Sequence, residues 1–132
     1  MQYDEFISHV AEQTDLEPDD ADVLTKTVLA TLGEGLYRTE RDRLGAQLPK
    51  LLKEALYAEQ PPENTRRDVK QYPLEEFYHR VQARAETPRR KTKDYVNAVM
   101  VVLQEVVSAG VLTDAIETLP SKYRELLPQR TA

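Results

Sequence analysis

The chain has 132 residues, no cysteine and a formal net charge of −5 at pH 7. The lack of cysteine excludes disulfide bonds, thiolate metal sites and cysteine nucleophiles, and the acidic balance argues against general nucleic-acid binding. The chain has no apolar run of about 18 residues, and its first residues lack the pattern of a signal peptide. We therefore expect a cytoplasmic protein without a membrane-spanning helix.

The first two helices are predicted from the spacing of apolar residues. One helical stripe consists of Tyr3, Phe6, Ile7, Val10 and Ala11. Pro18 suits the first position of a second helix, because that position needs no backbone N–H. The apolar stripe of the second helix covers residues 21–36, and its width indicates a central place in the fold.

A corner is predicted at Leu48-Pro49. Before it, Thr39 and Asp42 have the spacing of a capping box, which predicts a short helix over about residues 40–46. Pro49 then keeps Leu48 out of helical geometry and can itself open the next helix. We expect Leu48 to lie in the core at this corner, which ends the first unit at residue 57.

A linker and a second helical unit follow. Residues 58–72 show no helical period and carry prolines and mixed charges, which is typical of a linker. The second unit covers residues 73–132. Its helix at about residues 88–108 is apolar almost all round, so we expect it to be the most buried helix. Gly110 is expected to end this helix, and Thr113 to cap a short helix after it.

The sequences of the two units align with one another without a gap. Each residue aligns with one a constant number of positions later, so that residue 5 aligns with residue 76. We call this offset the repeat shift. Identical residues pair at the repeat shift: Glu5 with Glu76, Phe6 with Phe77, Val10 with Val81, Val28 with Val99, Leu32 with Leu103, Leu48 with Leu119, Pro49 with Pro120, Glu54 with Glu125 and Leu56 with Leu127. Self-similarity at a fixed shift indicates a repeated supersecondary unit. The sequence therefore predicts an all-α fold of two similar units on one core, with six to eight helices.

The chain also resembles a known family. The residues that carry the resemblance are Glu5-Phe6 with Val10, Leu32 and Leu36, then Ala46-Gln47-Leu48-Pro49, and a second Phe77 with Val81. They are similar to the bacterial family called domain of unknown function 2267, over nearly the whole chain. The second unit has Glu117-Thr118 before Leu119-Pro120, so any role of Gln47 would belong to one unit. The resemblance implies an all-helical fold, a bacterial origin and no known reaction.

Candidate metal and catalytic residues are few. Glu76 and His79 form a single Glu-x-x-His, a motif that helical di-metal sites use twice, and Ser8 stands at the position that matches His79. We expect His9 and His79 to be surface residues, and we expect no metal, cofactor or enzyme activity. Gln47 is either a specific polar contact or, more commonly at such a corner, bonded to nearby backbone.

The chain has one concentrated basic tract, residues 80–93, with Arg80, Arg84, Arg89, Arg90, Lys91 and Lys93. The repeat shift aligns Asp19, Asp20 and Asp22 with Arg90, Lys91 and Lys93. One interpretation is a solvated helix end. The functional interpretation is that these charges bind an acidic protein partner or a second copy of the chain.

A small non-catalytic interaction or regulatory module is the function that this pattern favours. The alternative is a weak nucleic-acid-binding protein that uses residues 80–93, although the tract lacks interleaved aromatic residues for stacking. An enzyme with an unrecognised site is the third hypothesis. Salt-dependent binding to DNA or RNA would separate the first two hypotheses.

Overall fold

The computed structural model describes residues 1–59 and 71–127, and all regular secondary structure within them is helical. The first unit contains α1 (Tyr3–Thr14), α2 (Pro18–Glu34), α3 (Arg38–Ala46) and α4 (Lys50–Leu56). The second contains α5 (Leu74–Ala85), a 3-10 helix (Arg89–Lys91), α6 (Thr92–Val106), α7 (Ala109–Glu117) and a second 3-10 helix (Ser121–Leu126). The predicted all-α class is confirmed. Most of the predicted linker lies outside the described residues, and no helix within them is long and apolar enough to cross a membrane.

The bounds of two helices of the first unit recur at the repeat shift. α5 has the bounds of α1 moved by that shift, and α7 has those of α3. Left-handed backbone conformations at non-glycine residues occur in the described residues only at Asp15, with φ of 60°, and Glu86, with φ of 54°. These two positions end α1 and α5 and are themselves related by the repeat shift. A superposition of the two units stays a prediction.

The two units interlock. α1 packs on α2 of its own unit and on α6 of the other, and α5 packs on α2. α3 also packs on α7, and there the Arg43 Nη1 lies 3.3 Å from the Asp114 Oδ2. Arg43 and Asp114 are equivalent positions, since the repeat shift of 71 residues separates them. A contact between aligned positions agrees with an approximate two-fold relation between the units, which stays a prediction.

The corner leucines lie in this shared core. Leu48 is 9% exposed and Leu119 is 6% exposed, and both belong to the one hydrophobic cluster of the described residues. Their predicted burial is confirmed. Each is followed by a proline with an extended backbone, Pro49 with ψ of 149° and Pro120 with ψ of 147°. The chain thus turns the same way after each leucine.

The long helices α2 and α6 share the centre of the fold. α2 buries nine of its 17 residues and α6 buries eight of its 15. The high burial predicted for the helix at about residues 88–108 is confirmed for α6, but α6 shares it with α2, which is buried to the same extent. Val99 and Leu103 are fully buried, so this face of α6 belongs to the core.

Helix ends of the second unit differ from the prediction. α6 stops before Val107, which takes an extended backbone with ψ of 135° and is 3% exposed. A β-branched residue adopts that conformation readily, so the chain can leave the helix and still fill the core. Gly110 and Thr113 both lie inside α7, which Ser108 caps by accepting a backbone N–H at 3.4 Å. The predicted stop and cap roles of Gly110 and Thr113 are wrong.

Helix starts in the first unit also differ. α3 begins at Arg38 with Tyr37 at the cap position, so the predicted cap at Thr39 is wrong and Thr39 lies in the first turn. Pro18 opens α2 as predicted. Pro49 is the cap residue of α4 and not its first helical residue, because its extended ψ is the usual geometry of an N-cap.

Candidate functional site

Two arginines of the basic tract, Arg80 and Arg84, are paired with glutamates of the same chain. The Arg84 guanidinium donates to both carboxylate oxygens of Glu34, at 2.9 and 3.1 Å, and to the Thr31 hydroxyl at 3.0 Å. The hydrogen bond to Glu34 raises the pKa of Arg84. The Arg80 Nε lies 2.9 Å from the Glu76 carboxylate, as an ion pair without hydrogen-bond geometry. These arginines therefore contribute to packing of the helices rather than to a free surface.

The rest of the tract forms a continuous set of exposed cations. Arg89, Arg90 and Lys91 make up the first 3-10 helix, and Lys93 is the second residue of α6. All are exposed, and in residues 1–59 and 71–127 none forms an ion pair. We call Arg89, Arg90, Lys91 and Lys93 the basic surface.

The turn that carries the basic surface is held by two threonines. The Thr92 hydroxyl lies 3.1 Å from the Pro88 carbonyl oxygen, to which it donates, and 2.8 Å from the Thr87 hydroxyl. The backbone there is 3-10 over Arg89–Lys91, whereas α2 is α-helical from Pro18. Cations at a helix start oppose the helix dipole, at a cost of about 0.3–1 kcal/mol each. Local helix stability therefore does not account for the basic surface.

The aligned aspartates of the first unit have different surroundings. Asp19 and Asp20 are exposed in the first turn of α2, where the helix dipole favours them. Asp22 accepts a hydrogen bond from the Tyr3 hydroxyl and lies 3.3 Å from the Lys26 ammonium. No ion pair within the described part of the chain joins these aspartates to the basic surface. Asp22 serves the fold, whereas Asp19 and Asp20 remain exposed.

A cleft of about 220 Å³ adjoins the basic surface, between α5 and the start of α6. Its lining comes from one face of α5 and from the tract: Glu75, Tyr78, His79, Gln82, Arg89, Thr92 and Lys93. The α5 residues recur at the spacing that places side chains on one helix face. Sequence reasoning named Arg89 and Lys93 but missed the α5 face, whose polar residues at i, i+3, i+4 and i+7 were the available signal.

Hydrogen-bond donors predominate in the cleft. The Lys93 ammonium lies 5.3 Å from the centre of the Tyr78 ring, within range of a cation–π contact. Burial raises the pKa of Tyr78, with smaller contributions from Glu125 and Glu75, so its hydroxyl keeps its proton at neutral pH. Glu75 is the one carboxylate in the lining. The cleft therefore suits a group that accepts hydrogen bonds and carries negative charge.

The histidines lie apart. His79 lines the cleft, while the His9 Nδ1 lies 2.9 Å from the Glu105 carboxylate and joins α1 to α6. Within residues 1–59 and 71–127, no three potential metal-ligating side chains of histidine, cysteine, aspartate or glutamate lie together.

Gln47 makes a polar contact between the units. Its Oε1 accepts the backbone N–H of Ser108 at 2.7 Å, from a residue 61 positions away. The partner is backbone, but it is distant in the sequence and belongs to the cap of α7. Thr118, at the matching position of the second unit, donates locally to the Ala115 carbonyl oxygen at 2.7 Å. Gln47 of the first unit thus contacts the second unit, whereas the aligned Thr118 makes no corresponding contact with the first unit among these hydrogen bonds.

The fold and the site define a class: a small protein whose described residues are helical around one hydrophobic core, with a basic cleft between α5 and the start of α6. The chain belongs to the family described as uncharacterized conserved protein (DUF2267), whose model matches residues 3–126. The resemblance seen in the sequence is confirmed by this match. No curated protein matches the chain.

Proposed function

We propose that the protein is a non-catalytic interaction module that binds an acidic protein partner through the basic surface. The observation that carries this proposal is the contrast within one tract. Arg84 is paired with Glu34, whereas the basic surface has no ion pair in the described residues. Its cations are exposed and adjacent, and they repel one another. Carboxylates of a partner would relieve that repulsion.

The balance of charges around the helix starts supports the proposal. Asp19 and Asp20 stabilise the start of α2 through the helix dipole, but Arg90 and Lys91 gain nothing comparable. A group that costs local stability and is exposed fits a binding role better than a structural one. We also propose a bacterial origin, as the family resemblance implies, and a cytoplasmic location, as the composition favours.

The expected binding is fast and sensitive to salt. Exposed charge pairs contribute at most about 1 kcal/mol each, and salt screens them over a Debye length of about 8 Å at physiological ionic strength. Such contacts increase the association rate and select partners more than they increase affinity. The dissociation constant should therefore rise steeply as salt is added.

A labelled glutamate-rich peptide tests the proposal by fluorescence anisotropy. Reversing Arg90 and Lys91 to glutamate should weaken binding at least about tenfold, with a melting temperature close to that of the parent. The matched control reverses Lys50 and Lys53, which are exposed on α4 and give the same change in net charge.

The outcomes separate the hypotheses. Selective loss in the Arg90 and Lys91 variant supports a local binding surface. Equal weakening in the control shows that only net charge matters and overturns the proposal, as does a parent that binds no acidic peptide. Duplex DNA that competes more strongly than the peptide would favour the nucleic-acid alternative.

A further inference from the structure

We infer that the cleft beside the basic surface anchors one carboxylate side chain of the acidic partner. This inference rests on the proposed function and adds to it the place and chemistry of one specific contact. The cleft volume of about 220 Å³ is several times the share of about 30 Å³ that one water molecule takes in the liquid. It has room for a side chain and not only for a bound ion.

The first unit provides an internal comparison for the cleft. At the repeat shift, its apolar residues align with polar lining residues: Ile7 with Tyr78, Ala11 with Gln82, Pro18 with Arg89 and Ala21 with Thr92. Ile7 and Ala21 are buried members of the core. At these four positions the first unit packs its helices with apolar residues, so helix packing does not require polar side chains there.

The donors in the cleft match the acceptor capacity of a carboxylate. The Arg89 guanidinium offers a planar fork for two oxygens, and Lys93 adds a point charge. The Gln82 amide and the Tyr78 hydroxyl can donate to the remaining lone pairs of a carboxylate, which accepts at about four sites. Thr92 is used within the fold, since its hydroxyl already bonds to Pro88 and Thr87.

The Glu75 carboxylate lowers the net positive charge of the cleft, which bears on the choice between carboxylate and phosphoryl ligands. This carboxylate lines the same cleft, and its repulsion of a ligand grows with the charge that the ligand carries. A phosphoryl group carries about −1.5 to −2 charges at neutral pH, whereas a side-chain carboxylate carries one. With two cations and one carboxylate, the lining has a net charge of about +1, which the single charge of a glutamate or aspartate side chain neutralises.

Two double variants with the same change in charge test the cleft, with the glutamate-rich peptide as the probe. Arg89→Gln with Lys93→Gln removes two cations of the lining, and Arg90→Gln with Lys91→Gln removes two that lie outside it. The first variant should weaken binding at least about tenfold and the second only about threefold. All four residues are exposed, so we expect both variants to fold.

A neutral substitution separates the cleft from general electrostatics. Gln82→Ala introduces the residue of the first unit, Ala11, and should weaken binding about threefold to fivefold without changing the dependence on salt. Equal weakening by the two double variants, with no effect of Gln82→Ala, would overturn the cleft inference and leave the proposed function standing. A parent that binds no acidic peptide would overturn both. A phosphoserine peptide of equal net charge that binds more than about tenfold tighter would contradict the carboxylate assignment.

Discussion

The junction between α1 and α2 and the junction between α5 and α6 share a left-handed helix end and an apolar interior, but they differ in backbone and in surface charge. α2 is α-helical from Pro18, whereas the second junction passes through a 3-10 helix at Arg89–Lys91. Both leave the first helix through a left-handed residue, Asp15 or Glu86, and both bury the same apolar pairs, such as Phe6 and Phe77. The exposed residues differ in charge: the first junction carries Asp19 and Asp20, and the second carries Arg90 and Lys91. The comparison teaches that an apolar interior is compatible with either surface charge, because the buried positions recur while the exposed residues and the start of the second helix differ.

The junctions also differ in what fills the space between their helices. In the first unit, Ile7 and Ala21 close that space with apolar side chains. In the second, Tyr78 and Thr92 stand at those positions, and a cleft opens to the basic surface. The difference is one of side-chain chemistry on equivalent helices, so variants that exchange residues between the units can break or sharpen the comparison.

The largest expected effect is a charge in the core. Val99 is fully buried, as is its equivalent Val28, so Val99→Asp should cost more than about 4 kcal/mol because an unpaired charge is buried. Val23→Asp is the control, since Val23 is 49% exposed and its equivalent is Asp94. It should change stability by less than about 0.5 kcal/mol. Denaturant unfolding followed by circular dichroism measures both, and a Val99→Asp protein with the midpoint of the parent would refute the shared core.

The next largest loss of stability is expected when the residues at position 41 and at the aligned position 112 are substituted for one another in two single variants. Arg41 is 6% exposed, its guanidinium donates to the Gly33 carbonyl oxygen at 3.3 Å, and burial lowers its pKa. Leu112 is 1% exposed, and Leu112→Arg should cost about 3–5 kcal/mol as a buried charge without a built partner. Arg41→Leu should stay within about 1 kcal/mol of the parent, because the Gly33 oxygen still accepts the Leu36 N–H at 3.2 Å.

The free energy of unfolding of each single variant is measured by urea denaturation. Equal and large losses would show that Arg41 has a specific role in the first unit. Equal and small losses would show that the two positions are less enclosed than their exposure indicates.

The corner leucines test the equivalence of the units directly. Leu48→Ala and Leu119→Ala should each cost about 2–5 kcal/mol as core truncations. Leu51→Ala, at a residue of α4 that is 45% exposed, should cost less than about 0.5 kcal/mol. The free energy of unfolding decides, and a loss under about 0.5 kcal/mol at Leu48 would rule out its place as a core residue.

The smallest effect concerns Tyr123, whose equivalent is Leu52. The Tyr123 hydroxyl donates to the Tyr72 carbonyl oxygen at 2.7 Å, and burial raises its pKa above the ordinary value. Tyr123→Phe should cost about 1 kcal/mol at pH 8, the net value of one hydrogen bond. Tyr37→Phe, at a residue that is 51% exposed, is the control.

The pH dependence of that difference has a definite sign. Above about pH 10 the unfolded chain loses the Tyr123 proton while the folded chain keeps it. The stability that Tyr123 contributes is thus fully present below about pH 10 and falls at higher pH. Burial and the hydrogen bond to Asp42 raise the pKa of Tyr57 to about 12, but Tyr57 is common to both proteins and cancels. If the parent instead became increasingly more stable than Tyr123→Phe above pH 10, the assignment would be contradicted.

Some of this structure follows from local patterns in the sequence. The apolar spacing in α1 and α5 predicted both helices, and the repeated Leu-Pro predicted the burial of Leu48 and Leu119. Such patterns are informative because an amphipathic helix must bury its apolar stripe wherever it packs. Helix ends were less predictable, since Val107 leaves α6 in order to fill a core that other helices form.

The partners of polar side chains were decided by the tertiary structure. Arg84 is paired with Glu34 and Arg90 is not, although both belong to one tract. Gln47 reaches the Ser108 N–H, 61 residues away. These contacts depend on which helices meet and at what register, and neither is encoded in the spacing of neighbouring residues. The amino-acid sequence by itself determined helices that bury apolar stripes in one core. Only the packing of these helices decided which charges face each other and which remain on the surface.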